Sequence, residues 1–190
     1  SSFQNCTNLT YVTMGNNVET IKNNAFASCS RLINITMPNS LTTIYDSAFF
    51  GCSSLTTIII PNSVITMEHS VFMDCTSLTS IVLSNSISII NNGMFNGCSS
   101  LLSITIPASV KTINEAAFRK CISLVTVTIP DTVETMGNSV FRECSNLSSV
   151  TISNSLNTIS ESLFYGCTSL ESITIPEFVT SINDSAILAC

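Results

Sequence analysis

Cysteine stands at positions 6, 29, 52, 75, 98, 121, 144, 167 and 190, so the whole chain follows one 23-residue period without a slip. A period in the range of 20 to 50 residues is the mark of stacked structural units, in which equivalent residues of successive units share one site. Leu stands three residues after each Cys but the last, from Leu9 through Leu55 to Leu170. Aliphatic residues follow at six and eight, as in Ile58 and Ile60 or Val127 and Ile129. This i, i+2 pair predicts a short strand with one face turned inward. Pro38, Pro61, Pro107, Pro130 and Pro176 then end the strand, with Gly15, Ser84 and Ser153 taking their place in the other units.

Past this turn, pairs three residues apart, such as Val64 and Met67 or Val110 and Ile113, form the return leg. The return ends in polar residues and then a small-aromatic pair, as in Asp46-Ser47-Ala48-Phe49 or Glu115-Ala116-Ala117-Phe118. A polar residue ahead of Ala-Phe has the form of an N-cap, which predicts one or two helical turns. Phe recurs three residues before Cys from Phe3 to Phe164, which predicts an aromatic column along the stack. One unit carries too few inward side chains to offset the entropy of ordering its own backbone, so stability must come from neighbours.

A 23-residue period lies in the range of leucine-rich repeats. The pattern Leu-x-x-Ile-x-Ile-Pro-x-x-Val-x-x-Ile-x-x-x-Ala-Phe-x-x-Cys, read from Leu55 to Cys75 with Val71 in place of Ala, resembles the BspA-like leucine-rich repeat family over the whole chain. It departs from the commoner repeat at Asn17, Ser40, Ser63, Ser86, Ser109, Thr132, Ser155 and Phe178, where no Asn ladder runs. Buried hydroxyls there would have to satisfy the backbone of the turn. The expected fold is one mainly β solenoid over 1–190, of about eight 23-residue repeats. It would be right-handed, with a parallel sheet on its concave face and short helical or irregular returns. The resemblance implies a non-catalytic surface or secreted protein, adhesin-like, with a protein or glycoconjugate as partner. An intracellular, cytoplasmic scaffold built from the same repeats is the alternative.

Chemistry is hard to place on such a stack. Residues one period apart should point in parallel at ~4.8 Å, wider than the ~3.8 Å between Cβ atoms that a disulfide favours. The cysteines are therefore expected to be free, packed thiols, with only Cys6 and Cys190 exposed. A straight column does not converge on zinc. His69 is the only histidine, and its column of Asn23, Asp46, Asn92, Glu115, Asn138, Glu161 and Asp184 reads as a solvated turn. No phosphate loop or metal-ligand motif occurs, so neither an enzyme nor a cofactor is expected. Arg119, Lys120 and Arg142, with Glu143, read as a solvated patch. Five Asn-x-Ser/Thr sequons begin at Asn5, Asn8, Asn34, Asn146 and Asn183, about what composition alone supplies.

The outward strand positions are the candidate ligand face. They are Tyr11 and Thr13, Asn34 and Thr36, Thr57 and Ile59, Ser80 and Val82, Ser103 and Thr105, Thr126 and Thr128, Ser149 and Thr151, and Ser172 and Thr174. One reading is a ladder of hydroxyls that only stabilises strands. The other is a polar, nearly uncharged surface for an extended partner, with Ile59 and Val82 as its apolar contact. A net charge of −6 with only six basic residues argues against nucleic acid. Apolar runs such as Ile58-Ile59-Ile60 are far too short for direct membrane insertion. The opening Ser1-Ser2-Phe3-Gln4-Asn5 lacks a leader, so any targeting segment is expected outside this chain. Without polar caps at either end, the chain is expected to be a fragment of a longer array or a homo-oligomer joined through its bare end strands.

Overall fold

A computed structural model describes residues 2–190. The chain is a parallel-strand solenoid in which most coils carry two strands. They are β1 (Tyr11–Thr13) and β2 (Thr20–Ile21), β3 (Asn34–Thr36) and β4 (Thr43–Ile44), β5 (Thr57–Ile59) and β6 (Thr66–Met67), β7 (Ser80–Val82) and β8 (Ile89–Ile90). The next coil has only β9 (Thr112–Ile113), followed by β10 (Thr126–Thr128) and β11 (Thr135–Met136), β12 (Ser149–Thr151) and β13 (Thr158–Ile159), and β14 (Ser181–Ile182). Every pairing is parallel and in the 23-residue register: Tyr11 opposite Asn34, Ile58 opposite Ile81, Val127 opposite Val150. Ser103 contributes a single parallel bridge to Thr126.

A second ladder, which the sequence does not announce, runs β2-β4-β6, β8-β9-β11 and β13-β14, along the leg read above as a plain return. Its repeated Thr-Ile or Thr-Met pairs suit it, since a β-branched residue outside and an apolar one inside fit a half-buried pleated surface.

Among the described residues the returns take the irregular form and no helical turn is present, and the reason lies in the hydrogen bonds. Asn24, Phe26 and Ser28 donate their backbone N–H groups to Asp46, Ala48 and Phe50 of the next coil at 3.0, 2.8 and 2.7 Å. The residues between them, Ala25, Ala27 and Cys29, donate to Lys22, Asn24 and Phe26, three residues back, at 3.1, 3.2 and 3.1 Å. A helix would satisfy all these groups within itself; here every second one is spent on the neighbouring coil. The alternation needs left-handed backbone four residues apart, at Asn24 and Ser28 (φ 55° and 59°) and again at Ser47 and Gly51 (φ 54° and 66°). The Asn and Ser that look like helix caps are therefore left-handed turn residues.

Columns of like side chains fill the interior. Phenylalanine rings from Phe3 to Phe164 stack with centroids between 5.2 and 5.8 Å apart and planes within 11° of parallel. Beside them, Cys29 through Cys167 are buried free thiols, while Cys6 and Cys190 are exposed. Each thiol from Cys29 on donates to the carbonyl of the Phe 26 residues earlier, as Cys52 Sγ does to Phe26 O at 3.2 Å and Cys98 Sγ to Phe72 O at 3.1 Å. Phe26 O also accepts from Cys29 N–H, so both of its lone pairs are used, one by its own coil and one by the next.

The hydroxyls expected to serve the turns do so unevenly. Ser40, Ser86 and Ser155 donate to Val18, Asn62 and Asp131 carbonyls at 2.8, 2.7 and 2.6 Å. Ser84 and Ser153, which replace Pro, are buried and reach Val64 and Val133 carbonyls, both at 2.6 Å. Ser63, Ser109 and Thr132 hydroxyls are buried without a partner. The stack is also tight at Gly137, where a Cβ would lie 2.5 Å from Glu115 N. Gly137→Ala is therefore expected to cost about 1 to 3 kcal/mol, since the obstacle is backbone of the preceding coil. Urea denaturation of the variant measures this.

Candidate functional site

The side chains that alternate with the buried column of Ile35, Ile58, Ile81 and Val127 are exposed at all sixteen outward positions, from Tyr11 to Thr174. Parallel pairing fixes their spacing, because residues on one face of a sheet stand one strand apart. Ile59 and Val82 are direct register partners on β5 and β7, and they are 69% and 58% exposed. Two large aliphatic side chains are thus held side by side in water. Tyr11, at 67% exposure, adds an aromatic ring on β1.

Around this pair the face is hollowed. An open cavity of about 390 Å³ lies between Asn34, Thr36, Asn39, Thr57, Ile59 and Pro61. A second of about 490 Å³ lies between Ile59, Pro61, Asn62, Val82, Asn85 and Pro107. Both use Ile59 and Pro61, so they adjoin at the end of β5. Polar amides of the turns form one wall and the strand face the floor. Among the described residues, no hydrogen bond joins an outward Ser or Thr on this face to a neighbouring side chain. Hydroxyls used for holding coils together sit elsewhere, as Thr79 does when it donates to Thr56 O at 3.1 Å and Ser148 to Val125 O at 3.3 Å.

Some exposed apolar residues lie outside the sixteen. Leu102, Ile122 and Val125 are 56%, 44% and 45% exposed along the edge where the chain enters the strand. The signal was present in the sequence, since Ile33, Leu102 and Val125 occupy a column that holds Thr10, Thr56, Thr79 and Ser148 in other coils.

The charged groups are more structured than a solvated patch. Glu143 accepts from Arg142 Nε at 3.1 Å and Arg119 Nη2 at 3.4 Å, with Lys120 Nζ at 3.8 Å. Burial would raise the Glu143 carboxyl, but the Arg142 hydrogen bond and the nearby Arg119 and Lys120 outweigh it and hold the group below its ordinary value. Arg142 also lies 4.4 Å above the Tyr165 ring. The buried thiols are chemically quiet. Burial pushes Cys52 and Cys167 up to about 12 and Cys75 and Cys121 well above the ordinary 9.0. A thiolate is the reactive form, so these groups are not nucleophiles at neutral pH. His69 is exposed but does not stand apart, because Asp46 and Glu68 flank it.

Coils of one fixed length, each with Leu, an aliphatic pair, Phe and Cys at set points around a parallel-strand stack, define a leucine-rich repeat protein. The BspA type leucine rich repeat region matches residues 1–124 and 89–190, and the chain belongs to that family. Among solved structures, it is similar to a leucine-rich repeat protein from Bacteroides ovatus, at 25% identity over 96% of this chain and 68% of that one, with a TM-score of 0.67. It is similar to the T. pallidum leucine rich repeat protein at 27% identity, 90% and 72% coverage and a TM-score of 0.62. A leucine rich cell surface protein from Faecalibacterium prausnitzii matches at 25% identity, 95% and 70% coverage and a TM-score of 0.56. No curated protein matches the chain. Among the described residues, no helix is long and apolar enough to cross a membrane.

Proposed function

We propose that this chain is a non-catalytic binding module displayed at a cell surface, which takes a protein or glycoconjugate on its sheet face. The observation that carries this reading is the Ile59–Val82 pair, held in water between two adjoining hollows and flanked by exposed hydroxyls. Exposed aliphatic neighbours cost free energy that a ligand recovers when it covers them. The hydroxyls and turn amides supply orientation without charge, which fits a polar protein segment or a sugar better than a charged polymer. Display at a surface is supported by the relative from F. prausnitzii, which is a cell surface protein.

Changing Ile59 and Val82 together to Lys is the direct test. Binding would be followed on immobilised matrix proteins and a glycan array, with the wild-type ligand taken forward. Covering two aliphatic side chains is worth about 1.5 to 3 kcal/mol each, so the double variant is expected to bind at least tenfold more weakly with unchanged circular dichroism. Equal binding by a folded variant would remove this face as the site.

A further inference from the structure

We propose that Asp46, Glu68 and His69 form a binding site for a divalent transition-metal ion of the zinc class. The 23-residue register creates the cluster: His69 lies one period after Asp46, so the two occupy the same site on adjacent coils, and Glu68 directly follows β6. Backbone bonds lock that geometry on both sides. Glu68 N–H donates to Ile44 O at 2.9 Å, and Ser47 N–H donates to His69 O at 2.9 Å. One ligand atom from each of the three side chains lies within 4.8 Å of the others. A tetrahedral zinc ion with ligands at ~2.0 to 2.2 Å wants them ~3.3 Å apart. Small side-chain rotations close that gap, since His69 is exposed and both carboxylates are only half-buried.

Charge and chemistry point the same way. Among the described residues, neither Asp46 nor Glu68 has a salt bridge. Lys22, which shares the Glu68 column two coils earlier, keeps its ammonium 4.3 Å over the Tyr45 ring. Two carboxylates held close together without a counter-ion repel one another, and a divalent cation relieves that. The backbone N–H of His69 donates to Asp46 Oδ1 at 3.0 Å, which aims the carboxylate and leaves Oδ2 for a ligand role. An imidazole nitrogen beside two carboxylate oxygens suits zinc, nickel or copper, whereas calcium and magnesium take oxygen alone. The repeat makes the site singular. The other members of the His69 column are Asn23, Asn92, Glu115, Asn138, Glu161 and Asp184, and none supplies a nitrogen ligand of this kind. The remaining coordination positions face solvent, where water or a side chain of a binding partner completes the shell.

The test is a Zn²⁺ titration of the full protein carrying Cys6→Ser and Cys190→Ser, because those two exposed thiols would bind zinc themselves. The sole imidazole gives one set of side-chain NMR resonances to follow. One ion per chain is expected, with the His69 resonances shifting to saturation. His69→Ala, Asp46→Asn and Glu68→Gln are each expected to weaken Zn²⁺ at least tenfold, while Glu115→Gln leaves it unchanged. All variants should keep the parent melting temperature; His69→Gln replaces His69→Ala if the latter does not. Imidazole resonances that stay in place, or a loss below tenfold for either carboxylate variant, overturn the site.

Discussion

Between pH 9 and pH 11 the protein is expected to lose stability steeply, at a rate set by its buried thiols. Seven cysteines, Cys29 through Cys167, are buried in the fold. Burial raises Cys52 and Cys167 to about 12 from the ordinary value of 9.0, and Cys75 and Cys121 well above it. Below pH 9 the thiols hold their protons in both the folded and the unfolded chain, so pH has no leverage through them. Above pH 9 the unfolded chain releases protons that the folded chain keeps, and stability falls as pH rises. Each such thiol contributes a limiting slope of about 1.4 kcal/mol per pH unit. The effect ends once the pH passes the folded value. Urea midpoints measured at pH 8 and pH 10.5 should therefore differ greatly, and replacing Cys75 and Cys98 with Ala should flatten the dependence. Equal midpoints at the two pH values would mean that the thiols are open to solvent.

Phe95→Ala is expected to be the most damaging single truncation, at about 3 to 5 kcal/mol. Phe95 is fully buried between Phe72 and Phe118, with centroids 5.8 and 5.3 Å away. Both stacked contacts are lost along with the buried area. The column offers no flexible neighbour to fill the gap, because the next rings are held in register by backbone bonds on either side. In a quasi-one-dimensional stack each coil touches only its neighbours, so the variant should also weaken the coupling between the coils before and after it. Denaturant unfolding is then expected to broaden or separate into two steps. Ile65→Ala, at a side chain 61% exposed, is the control and should stay within about 0.5 kcal/mol of wild type.

The fold is legible in the sequence to the extent that position in the period equals position in space. Counting from Cys tells which side chains face inward, and the Leu, Ile and Phe columns lie where the count places them. The second ladder escapes such a count because Thr43-Ile44 or Thr112-Ile113 is too short a segment to carry a periodicity of its own; only pairing across coils reveals it. Of the helical or irregular returns that the sequence leaves open, the irregular form is taken because Ser47 and Asn24 suit a left-handed turn as well as an N-cap, and inter-coil hydrogen bonds decide between the two. Exposure of the sheet face follows from alternation, but the hydrogen bonding of its hydroxyls depends on rotamers that alternation does not determine. The neighbourhood of His69 is half visible. Its register with Asp46 places the pair together, while Glu68 joins them only through the direction its side chain takes beyond β6.

The doubly used carbonyl of each stacked phenylalanine has a consequence for how such a chain can lengthen. Phe26 O takes one donor from its own loop and one from the loop that follows, and Phe49 and Phe72 repeat the arrangement. An inserted copy of one whole unit would arrive with its donors and acceptors already matched to both neighbours. An insertion shorter or longer than the unit by a single residue would instead strand a thiol and a carbonyl at each junction, so growth by tandem duplication is open to this architecture and growth by arbitrary lengths is not.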